Sequence, residues 1–232
     1  MRVYLFTSDF KLIEQLDKFG VDGVLYTYNA YQNNPFVEIP KNISKTNIKH
    51  MVAVRPYTVS PQFISQIGNT FDQIYGKGVL QINLISGWIK ENEQNAGGII
   101  GSVNDQSSSI DRSKYLTEYI DVLESLENKT VDYYVSVTNQ FTFDKALQYD
   151  SKIIIHYNHF KENRYNIKDR KVMVLIDVVG KDQIILSNEE LFKKLENLSK
   201  SGIKEVIFSG GDNKVMDHIT NFIKKYKEKE AK

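Results

Sequence analysis

The sequence predicts a compact (β/α)8 barrel of the TIM type, with an open doubly wound sheet as the other arrangement its pattern allows. Three observations lead there. Short runs rich in β-branched and aromatic residues recur eight times. Most are continuously apolar rather than alternating, as strands covered on both faces of a parallel sheet are. The helix-to-strand junctions at Gly20, Gly76 and Gly202 share one form, a helix, a glycine, a short link and a strand. A glycine just past a helix end takes the left-handed conformation that other residues avoid. Alternating β and α segments joined this way call for parallel strands and right-handed crossovers.

In order, the strands are expected at Val3–Phe6, Gly23–Thr27, Ile48–Val54, Val79–Ile85, Val131–Val137, Lys152–His156, Lys171–Val179 and Lys204–Ser209. Helical spacing of apolar residues marks Phe10–Phe19, Pro61–Tyr75, Asp111–Leu126, Asn188–Ser199 and Val215–Tyr226. Ser60 before Pro61 reads as an N-cap followed by a first-turn proline. Two connections show no clear helix: residues 28–47, rich in Asn, Tyr and Pro, and residues 88–109, rich in Gly, Asn and Ser. The second follows a strand end, so in a barrel it lies over the active face. Alternating charge over Lys224–Lys232 reads as a solvated helix end.

Composition narrows the function. The chain's 232 residues suit one barrel domain, residues 1–232, with 41% hydrophobic and 25% charged residues giving an ordinary globular balance. Thirty Lys and Arg against 29 Asp and Glu leave a formal charge of +1, which gives no global reason to expect nucleic acid as a partner. The absence of cysteine excludes disulfides, thiolate metal sites and thiol nucleophiles. No apolar run approaches the roughly 18 residues that span a bilayer. Ser8 and Asp9 interrupt the N-terminal apolar stretch too early for a signal-peptide core. The expectation is a soluble cytoplasmic protein, with no membrane or nucleic-acid partner.

Several residues offer chemistry. His156 closes the sixth strand, where a barrel presents polar groups at its mouth. His156 with His159 lacks the helical spacing and third ligand of a metal pair. Asp177 sits in the apolar run Val172–Val179, so it reads either as an acid or base or as half of an ion pair, with Arg55 as a candidate partner. Arg55 ends the third strand and points to the same face. His50 and His218 read as structural or exposed. Gly97-Gly98-Ile99-Ile100-Gly101 reads as a loop. Ser209-Gly210-Gly211-Asp212 reads either as a phosphate-holding turn or as a plain turn and helix cap.

A family pattern also runs through the first half. His50-Met51-Val52-Ala53-Val54-Arg55-Pro56, Ser60-Pro61, Thr70-Phe71-Asp72 and Asn83-Leu84-Ile85-Ser86-Gly87 closely resemble the bacterial luciferase-like monooxygenases. The nearest branch looks like the alkanesulfonate monooxygenases and related enzymes of natural-product pathways. The match is specific over residues 20–126, and Gly202 through Gly210 resembles the family's last strand.

The resemblance implies a luciferase-like TIM barrel that binds FMN in its reduced form, FMNH2, delivered by a separate flavin reductase. The flavin reacts with O2 to give a C4a-peroxide that oxygenates an organic substrate, while the protein orients the cofactor and excludes water. Carried over by position, Asn83 lies at the flavin face of the fourth strand and Arg55 is the arginine of the Arg-Pro motif. Ser136, Val137 and Thr138 fall at the turn for the FMN phosphate. Tyr28, Asn29 and Tyr157 are candidate substrate contacts, and His156 and Asp177 the candidate catalytic groups. A homodimer or heterodimer is the expected assembly.

The chain also departs from the family pattern. Leu175-Ile176-Asp177 stands where the family has Arg-Xaa-His, and Asp111-Arg112-Ser113 where it has Glu-Arg-Tyr. Val135 and Ser136 replace glycines. The link at residues 180–187 replaces a long insertion before the last strand, which opens the pocket toward a large or carrier-tethered substrate as well as a small molecule. The same losses suit a non-catalytic flavin-binding protein or the partner subunit of an active paralogue. A phosphate-binding barrel using Gly210 and Gly211 is the third reading.

Overall fold

Six of the eight strands begin at a charged residue or glycine, and each carries an apolar run whose two faces meet different neighbours. The computed structural model describes residues 1–7, 9–28, 34–56, 58–86, 109–126, 131–168, 170–180, 182–210 and 212–230. The strands are β1 (Arg2–Phe6), β2 (Gly23–Thr27), β3 (Lys49–Val54), β4 (Leu80–Leu84), β5 (Asp132–Val137), β6 (Lys152–His156), β7 (Val172–Asp177) and β8 (Glu205–Ser209). Each pairs in parallel with the next, and β8 returns to β1, closing an eight-stranded TIM barrel.

Helices wrap the outside: α1 (Ile13–Lys18), α2 (Pro35–Glu38), α3 (Pro40–Ile43), α4 (Pro61–Tyr75), α5 (Ser109–Glu124), α6 (Gln140–Gln148), α7 (Tyr157–Lys161), α8 (Asn188–Lys200) and α9 (Asn213–Glu230). Local chemistry sets their starts. The Ser60 hydroxyl accepts the Phe63 amide at 3.1 Å with Pro61 in the first turn. Ser187 with Glu190, and Asn139 with Thr142, form reciprocal capping boxes. Gly20, Gly76 and Gly202 follow helix ends with positive φ, as the junction pattern predicts.

The alternation of the strands divides the apolar residues into two cores. Outward side chains such as Val3, Val52, Ile155 and Val206 pack with Ile120, Leu195, Ile219 and Phe222 of the helices. Inward side chains build a separate plug of Tyr4, Leu25, Met51, Ala53, Tyr134, Ile154, Met173 and Ile207. Burial of each large member contributes roughly 1.5–3 kcal/mol. Gly23 makes the plug fit: a Cβ there would lie 2.2 Å from Cε1 of the Tyr4 ring, which crosses the barrel at that level.

The two cores also settle the lone histidines. His50 faces the outer layer, fully buried, with Nδ1 at 3.0 Å from the Tyr26 hydroxyl. Its Nε2 has no hydrogen-bond partner among the described residues, and burial lowers its pKa to about 4. His218 contacts the Leu186 carbonyl through Nε2 at 2.8 Å.

Three expectations need correction. α6 and α7 occupy segments where no apolar spacing marked a helix, and residues 28–47 hold the two one-turn helices α2 and α3, each opened by a proline. The expected first helix divides into a 3-10 turn at Phe10–Leu12 and α1. The charged tail is more than a solvated face, since Lys227 reaches back to Asp22 at 2.7 Å and Tyr226 donates to Glu230 at 2.6 Å. The glycine-rich stretch at 97–101 lies outside the described residues, and the β7–α8 link is short, closed by a bridge between Val179 and Ile185. No helix among the described residues is long and apolar enough to cross a membrane.

Candidate functional site

Two residues along a strand return to the same face, so the inward plug continues toward the carboxyl ends of the strands into a polar layer. Beyond Ala53 comes Arg55, beyond Gln81 comes Asn83, and beyond Tyr134 come Ser136 and Thr138. Ile154 is followed by His156, Leu175 by Asp177 and Ile207 by Ser209. This is the mouth of the barrel, where the fold places its functional groups.

His156 and Asp177 meet there. The β6–β7 register sets His156 opposite Leu175, so Asp177 stands one step further along the same face. The His156 Nε2 lies 2.7 Å from Asp177 Oδ2. The backbone amide of Asn158 donates to His156 Nδ1 at 3.2 Å, making His156 the N-cap of α7. That donation assigns the imidazole hydrogen to Nε2, which donates to Asp177. Both ring nitrogens are therefore engaged, and the aspartate, with half of its side chain exposed, keeps a second oxygen that makes no hydrogen bond to the described residues. The partner of Asp177 is thus His156 rather than the expected Arg55. No group of three or more His, Asp or Glu among the described residues is arranged to hold a metal.

Arg55 is buried, and its Nη2 donates to the Tyr28 carbonyl over a long 3.4 Å. Tyr28 thereby steadies Arg55 through its backbone, while its ring packs on Phe36 in the outer layer. Asn83 is also buried and accepts the Ser136 hydroxyl at 2.9 Å on Oδ1, which leaves its Nδ2 donor without a described partner. The Thr138 and Ser86 hydroxyls stand 3.4 Å apart.

The segment expected to hold the flavin phosphate is closed on itself. The amides of Thr138 and Asn139 both donate to the Thr142 hydroxyl, at 3.1 and 3.3 Å. Val137 points outward into the core between strands and helices and offers no side chain to the mouth. Tyr157, expected at the mouth, is likewise turned outward by the start of α7, with the Lys194 ammonium 3.8 Å from its ring centroid. Asn29 lies outside the described residues. The Gly210 turn has a packing explanation, because a Cβ there would meet Val215 and Ile219 of α9 at 2.6 and 2.7 Å. Asp212 accepts the Val215 amide at 2.9 Å, as a helix cap does.

A reduced flavin would thus find ring-edge donors in Asn83 and in the Thr138 and Ser86 hydroxyls. It would find no open backbone cradle for its phosphate at Thr138–Asn139. Sequence reasoning missed Ser86, Thr142 and Asn158 as members of this layer. The Asn139-Xaa-Xaa-Thr142 spacing is a cap signal that points to Thr142.

No protein-family model matches the chain, and no curated protein matches it in sequence. Solved structures do match in fold. The crystal structure of apo-MsnO8 superposes with a TM-score of 0.67 at 9% identity, covering 98% of each chain. The coenzyme F420-dependent tetrahydromethanopterin reductase of Methanopyrus kandleri gives 0.61 at 12% identity, over 97% of this chain and 96% of that one. A phosphoribosylanthranilate isomerase of Thermotoga maritima gives 0.53 at 11% identity, over 98% and 99%. What they share with this chain is the TIM-barrel fold.

Proposed function

We propose that this protein is a luciferase-like barrel that binds reduced FMN at its mouth and oxygenates an organic substrate. The observation that carries the reading is the inward polar layer of Arg55, Asn83, Ser136 and Thr138, set beside the His156–Asp177 pair. Support also comes from the whole-length likeness to a barrel named for coenzyme F420, a flavin-like hydride carrier. The bound flavin would supply the reductive activation of O2. The protein's own part is narrower. Asn83 would donate to the ring edge, Arg55 would hold positive potential near it, and Asp177 would take or hold a substrate proton. His156 orients that carboxylate, so it is a positioning residue. A separate flavin reductase supplies the cofactor, and the short 178–187 link leaves room for a large or carrier-tethered substrate.

Anaerobic titration with FMNH2, followed by admission of oxygen, tests this. Binding together with slower flavin oxidation than in buffer is expected, and Asn83→Ala should weaken binding roughly tenfold through the lost hydrogen bond. Failure to bind reduced flavin at micromolar protein sinks the reading. The closed Thr138–Thr142 segment favours a second reading, a flavin-binding protein without catalysis or the partner subunit of an active paralogue. Binding with unaltered oxidation kinetics would select it.

A further inference from the structure

The opposite end of the barrel holds a cavity of about 530 Å³, a volume typical of small-molecule sites. Six cationic side chains line it: Arg2, Lys49, Lys152, Arg170, Lys171 and Lys204. They come from the starts of β1, β3 and β6 and from the links that enter β7 and β8, so only barrel closure gathers them.

Two carboxylates, Asp132 and Glu205, stand at the floor of this cavity, and both are already satisfied. Lys152 binds both oxygens of Asp132 at 2.5 Å and Gln81 donates to it at 3.2 Å. Glu205 pairs with Arg2 and accepts the Tyr134 hydroxyl at 3.0 Å. Arg170 is held from outside by the exposed Asp150 at 2.6 Å. Lys49, Lys171 and Lys204 remain, with no carboxylate of the described residues within 4.0 Å of their ammonium groups.

In a chain of formal charge +1, three unpaired lysines around one concave polar floor are a local concentration of positive potential. Cationic side chains gathered around one concave volume raise the local concentration of an anion there. Lysine ammoniums are compact point charges without the planar fork of arginine, and several converging on one volume suit an oxyanion with many oxygens. Tyr134, which lines the cavity, is pushed well above the usual phenol range by burial and then by Glu205, so it stays protonated beside an anion. We propose that the foot of the barrel is a binding site for a small phosphoryl polyanion of the diphosphate type. This site is independent of the flavin reading of the mouth.

Inorganic pyrophosphate is the probe, titrated into the full chain at low salt while amide shifts are followed by NMR. Shifts are expected at Lys49, Lys171, Gly202 and Lys204. Combined Lys49→Gln, Lys171→Gln and Lys204→Gln substitution should weaken binding roughly tenfold, since each removes one screened charge. The matched set Lys11→Gln, Lys161→Gln and Lys214→Gln, at the other end of the barrel, should stay within about twofold. Circular dichroism checks that the triple variant folds, and Lys204→Gln alone should already show a twofold to threefold loss. No binding, equal loss in both lysine sets, or shifts confined to the mouth would each overturn the site.

Discussion

The two ends of this barrel are built from the same strands but treat their polar residues differently. At the foot, Asp132 and Glu205 are locked by Lys152, Gln81, Arg2 and Tyr134, and the surplus is cationic. At the mouth, His156 and Asp177 hold each other while remaining 30% and 51% exposed. The foot therefore contributes to holding the barrel together, whereas the mouth keeps groups that a ligand can still use. The difference follows from position on the strand, since partners from neighbouring strands crowd the foot while loops open around the mouth.

The comparison can be broken from its middle first. Gly23→Ala puts a methyl group into the Tyr4 ring and should cost about 3 kcal/mol or more in urea unfolding. Tyr4→Leu in the same chain should recover part of that loss, showing that the clash and not the strand is responsible.

The next largest effect is set by pH. His50 is neutral in the folded chain, with its pKa depressed to about 4 from an ordinary 6.5. The unfolded chain therefore binds the extra proton between those values, and stability falls as pH drops from 6.5 to 4. The loss approaches about 3 kcal/mol at the lower end. His50→Phe should flatten that segment of the stability–pH curve measured by denaturant titration.

Glu205→Ala at the foot strands the Tyr134 hydroxyl and should cost about 2 kcal/mol. Glu205→Gln, which can still accept that hydrogen bond, should cost about half as much. The mouth should respond least. Asp177→Asn is expected to change unfolding free energy by no more than about 0.5 kcal/mol, because the pair is solvent-screened. A loss at Asp177 as large as that at Glu205 would erase the distinction between the two ends.

Much of this architecture is legible in the chain. All eight strands fall within a few residues of the apolar runs that predict them, because a strand buried on both faces needs no partner to announce itself. α6 is not legible in the same way. Its start, Gln140-Phe141-Thr142-Phe143, mixes aromatic and β-branched residues, and only Thr142, Phe143 and Ala146 are buried. α7 is a single turn whose cap is a histidine side chain, a role no periodicity reveals. Within the candidate site, strand-end position picks out His156, Asp177, Asn83 and Arg55. It cannot say that Tyr157, the next residue, swings outward once the backbone turns helical. The foot is invisible for a different reason. Arg2, Lys49, Asp132, Lys152 and Glu205 each look like an ordinary charged strand end, and they become neighbours only when β8 meets β1.

The plug of Tyr4, Met51, Tyr134, Ile154 and Met173 makes each end of the barrel a cul-de-sac. A molecule that enters at the mouth must leave by the mouth, so in the proposed oxygenation product departure and substrate arrival would share one doorway and could not overlap in time. Occupancy of the foot cannot obstruct that traffic. Reduced flavin and pyrophosphate should therefore saturate the same chain together, each titration curve unmoved by the other unless the plug itself shifts.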